Sequence, residues 1–213
     1  MNRVELKTKA KQQIKGKIGI LFLITLIISV ISIAVTTILG FIPYAGPIIA
    51  TIVITPAFAL SIVTIFLKVA KDEDVSVNDA FSGFYDFWAS FKLCFFVSLF
   101  TYLWTLLFII PGIIKTFEYS MSFCILAENK EKPALECIKE SREITKGHKM
   151  DLFVLSLSFI GWMILGSITF GIAYIWVMPY MYTTFANAYY SIKPIAKAEP
   201  GTEAEPTEEK TEE

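Results

Sequence analysis

The chain has 213 residues, of which 54% are apolar or aromatic and only 18% charged, a balance too greasy for an ordinary soluble domain. Nineteen Lys and Arg against 20 Asp and Glu leave a net charge of −1, which excludes a globally basic nucleic-acid surface. Three cysteines without a C-x-x-C pair and a single histidine exclude a disulfide framework and a zinc site, so no metal and no cofactor is expected.

A helix crossing the hydrocarbon core needs about 20 mostly apolar residues. The runs Ile18 to Leu67 and Leu152 to Ile192 contain no charged residue, and each is long enough for two crossings joined by a turn. In chain order the sequence first predicts a basic amphipathic helix through Leu6, Ala10, Ile14 and Ile18, suited to anionic headgroups. Spans follow at about 18–40 and 48–68, broken where Pro43, Gly46 and Pro47 interrupt helix formation. A second amphipathic helix is expected from Ser76, an N-capping residue, with Val77, Ala80, Phe81, Phe84, Trp88 and Phe91 along one face. Spans at about 93–110 and 112–127 come next, bent at Pro111-Gly112. A third amphipathic helix begins at Pro133, presents Leu135, Ile138 and Ile144, and stops at Gly147. The last spans lie at about 152–169 and 172–190.

The sequence therefore predicts an all-α polytopic membrane domain over 1–192, with six transmembrane helices arranged as three hairpins, each preceded by a short interfacial helix. Residues 193–213 hold seven Glu and three Lys and read as a disordered acidic cytoplasmic tail. Two crossings between 93 and 127 place 18 of the 19 basic residues on the side of the termini and leave only Lys115 in an outer turn. The positive-inside rule makes that side cytoplasmic; a single crossing there would break the rule. Lys15-Gly16 and Lys146-Gly147 each stand five residues before a Leu-Phe pair, which suggests internal duplication.

Ionisable groups inside spans are functional candidates because a bare charge is costly there. Glu118 is the only acid within one, three residues from Lys115, so the two are expected to share a helix face and pair. Pro56 and Pro179 each remove an amide from a span and free a carbonyl four residues earlier, a device that transporters use. Beside the second, Tyr180, Thr183, Asn187 and Ser191 form a polar stripe, as do Thr25, Ser29, Ser32 and Thr36 on the first span; such stripes usually join helices. Asp72 to Ser76 resembles the opening of a calcium loop, but Val77 and Gly83 occupy positions that need glycine and glutamate. His148 and Asp151 form an acid–base couple at the start of the fifth span, without a nucleophile or a second acid in the membrane to make a catalytic site. No enzyme is expected.

Ile110-Pro111-Gly112-Ile113-Ile114, Tyr119-Ser120-Met121, Leu126-Ala127-Glu128-Asn129, Lys146-Gly147-His148-Lys149 with Asp151-Leu152-Phe153, Leu157-Ser158-Phe159-Ile160-Gly161-Trp162 and Pro179-Tyr180 together resemble a bacterial integral membrane family, domain of unknown function 975 (DUF975). The resemblance implies a multi-pass protein of the bacterial cytoplasmic membrane and no established activity. The expectation is a non-enzymatic protein that engages membrane lipids, other membrane proteins or further copies of itself. The alternative is a small permease or an accessory subunit of a transport system, with a lipid-modifying enzyme third.

Overall fold

The computed structural model describes residues 2–42 and 45–197; the expected tail beyond residue 197, and Pro43 and Tyr44 of the first turn, lie outside the described residues. Every regular element among them is helical: α1 (Arg3–Ile14), α2 (Ile18–Gly40), α3 (Ala45–Ala70), a 3-10 turn (Val77–Phe81), α4 (Ser82–Tyr85), α5 (Phe87–Leu107), α6 (Ile109–Tyr119), α7 (Ser122–Glu128), α8 (Ala134–Ile144), α9 (Lys149–Ile168) and α10 (Tyr174–Lys197). Five stretches are long and apolar enough to cross a membrane: α2, Thr51–Ala70 of α3, α5, Ile109–Glu128, and α9. These helices suit a membrane protein, but the six-crossing arrangement is not reproduced. The stretch α10 is not among the five, because five tyrosines, two threonines and Asn187 dilute its apolar residues.

The third hairpin, α9–α10, turns at Thr169-Phe170-Gly171 as expected, whereas in the first, α2–α3, Gly46 and Pro47 fall inside α3. Their buried residues concentrate at one end, here the base: Leu21, Ile24 and Ile28 of α2, Ala57 to Ala70 of α3, Leu152, Leu155 and Phe159 of α9, and Thr183 to Ile192 of α10. Toward the tips large apolar side chains such as Ile33, Ile38, Phe41, Ile164 and Phe170 are exposed, as helices that face lipid would leave them. Phe66 stacks on Tyr182 at 5.0 Å and joins α3 to α10.

Two amphipathic helices form as their spacing predicts and end alike. In α1, the Asn2 side chain caps the helix by accepting from the Glu5 amide, and Leu6, Ala10, Gln13 and Ile14 are buried. In α8, Ala134, Cys137, Ile138, Ser141 and Ile144 are buried; Pro133 sits at the N-cap, one position earlier than expected. Both helices stop just before a glycine in the left-handed region, Gly16 at φ +89° and Gly147 at φ +85°, a conformation that a side chain would strain. Each leads into the first helix of an outer hairpin, so the repeated layout extends to the backbone geometry of these two glycines.

The middle of the chain departs from expectation. The helix predicted from Ser76 is a 3-10 turn and one α-turn, bent at Asp86, and Trp88 and Phe91 belong to α5 instead. The turn is held by Asp79, whose carboxylate accepts from the Ser76 amide at 2.9 Å and pairs with Lys68 at 2.6 Å. The span expected at 112–127 is broken between α6 and α7 at Ser120-Met121. Thr105 and Gly112 are in close apposition, since a Cβ on Gly112 would lie 2.4 Å from Thr105 Oγ1, and Phe100 meets Tyr119. The hairpin therefore turns at Phe108, and α7 packs back against α3 and α8 at the base.

Candidate functional site

Polar side chains converge at the root of the α5–α6 hairpin. Glu118 Oε2 accepts from Lys115 Nζ at 2.6 Å, as the three-residue spacing predicts. Its other oxygen accepts from Lys149 Nζ, and Arg142 Nε approaches Oε2 at 3.6 Å. The Glu118 backbone carbonyl also accepts from Ser141 Oγ at 2.7 Å. Only 8% of the Glu118 side chain is exposed. Three cations around one carboxylate leave the cluster net positive. Lys115 also lies over the Trp104 ring at 4.9 Å.

This placement corrects the expected position of Lys115. It does not occupy an outer turn; it meets Lys149, the first residue of α9, and Arg142 of α8. Lys139, Arg142, Glu143, Lys146 and Lys149 line a cavity of about 420 Å3 together with Glu118. The sequence showed the Lys115–Glu118 pair but not Lys149, which lies 31 residues away in the chain.

A second polar network joins α1, α3 and α10. Asn187 Nδ2 donates to Gln13 Oε1 at 2.7 Å, and Gln13 Nε2 donates to the Ala70 carbonyl at 2.8 Å and to Asp72 Oδ2 at 3.2 Å. Asn187 was a candidate; Gln13 was not, although it falls on the same stripe as Leu6, Ala10 and Ile14. Thr183 Oγ1 and Asn187 Oδ1 are buried without a hydrogen-bond partner among the described residues. Ser191 bonds the Ala188 carbonyl, and Tyr180 packs against Phe159 with ring centroids 5.3 Å apart. The other stripe does not join helices as expected: Thr25 and Ser29 are exposed and donate to the carbonyls of Leu21 and Thr25 on their own helix.

The remaining candidates are separate from both clusters. Pro56 and Pro179 are buried inside unbroken helices. His148 Nδ1 lies 3.4 Å from Asp151 Oδ2 at the start of α9. The acidic segment before α5 pairs elsewhere than with the basic end of α8, since Asp79 holds Lys68 and Asp86 meets Lys130 at 2.6 Å. Burial pushes the Cys137 thiol up to about 11, so it stays protonated and packs as an apolar group. Glu128, part of the motif Leu126-Ala127-Glu128-Asn129, accepts from Tyr189 at 2.7 Å and from Lys193. A further cavity of about 560 Å3 lies between α1 and α9–α10, lined by Lys11, Lys15, Trp162, Trp176, Tyr180 and neighbours. No group of three or more His, Cys, Asp or Glu residues that could hold a metal ion occurs among the described residues.

No curated protein and no solved structure matches the chain. The model of the family described as "Protein of unknown function (DUF975)" matches residues 1–117 and 106–196, nearly the whole of the part that folds into helices. The chain belongs to this family.

Proposed function

We propose that this is a non-enzymatic, multi-pass protein of the bacterial cytoplasmic membrane, with both termini inside, that engages lipid headgroups and neighbouring membrane proteins through its base. The observation that supports this reading is the collection of charge at one end. Lys115, the single basic residue that the sequence alone puts on the far side, reaches the Glu118–Lys149 cluster at the base, which supports a gathering of the basic residues, among those described, on one side, as the positive-inside rule favours for the cytoplasm.

The same contacts bear on depth. Helix α9 runs 20 residues from Lys149 to its tip, about 30 Å. Glu118 is tied to Lys149, yet α6 has only 11 residues, about 16 Å from end to end. Helix α5 is longer, 21 residues, but Phe100 meets Tyr119, so only its last turns, from Phe100 to Leu107, accompany α6; in this reading the α5–α6 hairpin rises about half as far beyond Lys149 as α9 and enters one leaflet without crossing. Leu106, Leu107, Phe108, Ile109 and Ile110 at its tip are all exposed, and the interior of a leaflet accommodates them where water would not. In this reading α2, α3, α9 and α10 cross, and α5–α6 is a re-entrant hairpin. Such a hairpin keeps both of its ends on one side, so it preserves the charge asymmetry as well as two full crossings would.

The permease reading keeps one observation on its side, the unpartnered Thr183 and Asn187 oxygens beside Pro179, which a solute or water could satisfy. Purified protein in phospholipid vesicles separates the two. The proposal expects co-purified lipid or protein partner and no solute flux above empty vesicles. Flux that Thr183→Val and Asn187→Leu abolish would establish a permease instead.

A further inference from the structure

Lys139, Arg142, Lys146 and Lys149 are spaced by three, four and three residues, the repeat that keeps side chains on one helical face. The left-handed Gly147 turns the chain between the third and fourth, yet all four line the same cavity of about 420 Å3. Four cations there face two carboxylates, Glu118 and Glu143. Glu118 is already bonded by Lys115 and Lys149, whereas Lys139 and Lys146 close no ion pair among the described residues. Arg142 Nε lies 3.6 Å from Glu118 Oε2, beyond hydrogen-bond distance, and 56% of the Arg142 side chain remains exposed. A guanidinium in that state has its planar donor edge free for a phosphate. The cavity therefore has uncompensated positive charge and enough room for a headgroup.

We propose that this cavity binds the phosphodiester of an anionic phospholipid, with Arg142, Lys139 and Lys146 as the phosphate ligands and Glu118 holding Lys149 and Lys115 in place. The surroundings fit a lipid better than a soluble anion. Ile114, one turn before Glu118, and Met150, next to Lys149, are exposed apolar side chains beside the cations, which suits an amphiphile whose chains continue into the membrane. Basic pockets between helices on the cytoplasmic side are a known means of headgroup recognition. The site rests on the proposed membrane reading and names its ligand.

Full-length protein in phosphatidylcholine nanodiscs containing a minor fraction of phosphatidylglycerol tests this, with retained lipid counted by native mass spectrometry. The wild type should retain phosphatidylglycerol preferentially, and each of Lys139→Gln, Arg142→Gln and Lys146→Gln should weaken that preference by about fivefold. Arg142→Lys should restore part of the loss that Arg142→Gln causes. All the substituted side chains are surface groups, and unchanged circular dichroism and melting establish that each variant is folded. No preference in the wild type, or full preference in the triple variant, overturns the proposal. Displacement of the lipid by millimolar inorganic phosphate would assign the cavity to a soluble anion and also overturn it. Depth is tested separately by labelling at Phe108, so a hairpin found to cross would revise the topology while leaving the headgroup result to be judged alone.

Discussion

The third hairpin and the second grow from similar apolar runs but, in the proposed topology, reach different distances. The helices α9 and α10 diverge from a base packed around Leu152, Leu155, Phe159 and Tyr189, and the first of them extends about 30 Å before its turn. In that topology the second hairpin is pinned lower. Thr105 closes on Gly112 and Phe100 on Tyr119, while Glu118 is tied to the first residue of α9. An uncharged run sets how far a helix could go, and, on the proposed topology, the ion pairs at its ends set how far it goes.

The largest expected effect comes from removing the tie itself. Glu118→Ala leaves Lys115 and Lys149 facing each other without their carboxylate, and thermal unfolding in detergent should show a loss of about 3 kcal/mol. A loss well below 1 kcal/mol would mean that the cluster does not hold the hairpin at its depth. Next, Gly112→Val would drive a branched side chain into Thr105 and should cost about 2 kcal/mol. Thr105→Ala in the same chain should recover part of that, because the hydroxyl at 2.4 Å is the nearest atom; no recovery would place the strain elsewhere.

The outer hairpins should respond to a different change. Asn187→Ala leaves Gln13 Oε1 buried without a donor and should cost about 1–2 kcal/mol. Gln13→Ala should cost a comparable amount, and the double variant less than the sum; simple additivity would show that the bond contributes nothing of its own. The smallest effect lies at the 3-10 turn. Burial pushes the Asp79 carboxyl up, but the hydrogen bond from Lys68, the Ser76 amide and the Lys68 charge outweigh it and hold the group below its ordinary value. A depressed carboxyl contributes stability that is complete above its unfolded value, roughly pH 3.9, and is lost as pH falls through the folded one. An Asp79→Asn variant should therefore show a shallower loss of stability between pH 5 and pH 3 than the wild type, on the scale of about two pH units over which one carboxyl titrates; identical profiles would show that the pair is silent.

Much of the fold was legible because long uncharged runs and amphipathic spacing act locally. The bounds of α2 agree with the first predicted span at both ends, Ile18 and Gly40, and α8 has the buried Ile138 and Ile144 that its spacing predicts. The Lys115–Glu118 pair was legible for the same reason, being one helical turn apart. What was not legible is long-range. Nothing in the run from Leu93 to Ile114 reveals that Lys149 will meet Glu118, so a length criterion reads two crossings where the proposed topology has a re-entrant hairpin. Gln13 was overlooked because a glutamine on a basic helix reads as part of the solvated face, and only its partner on α10, 174 residues away, explains its burial. The bend at Asp86 is likewise set by tertiary contact: Gly83 donates to Ser61 Oγ at 2.9 Å and lies so close to the Ala57 carbonyl that a Cβ would fall 1.9 Å from it.

The most direct test compares the two tips in one membrane. Single cysteines at Phe108 and at Phe170, in a chain whose Cys94, Cys124 and Cys137 are replaced by serine or alanine, would be challenged from outside intact cells with a membrane-impermeant maleimide. Cysteine at Phe170 should be labelled and cysteine at Phe108 should remain unlabelled until the membrane is dissolved. Equal labelling of the two from outside would show that the second hairpin crosses, and would contradict the depth that the Glu118–Lys149 contact implies.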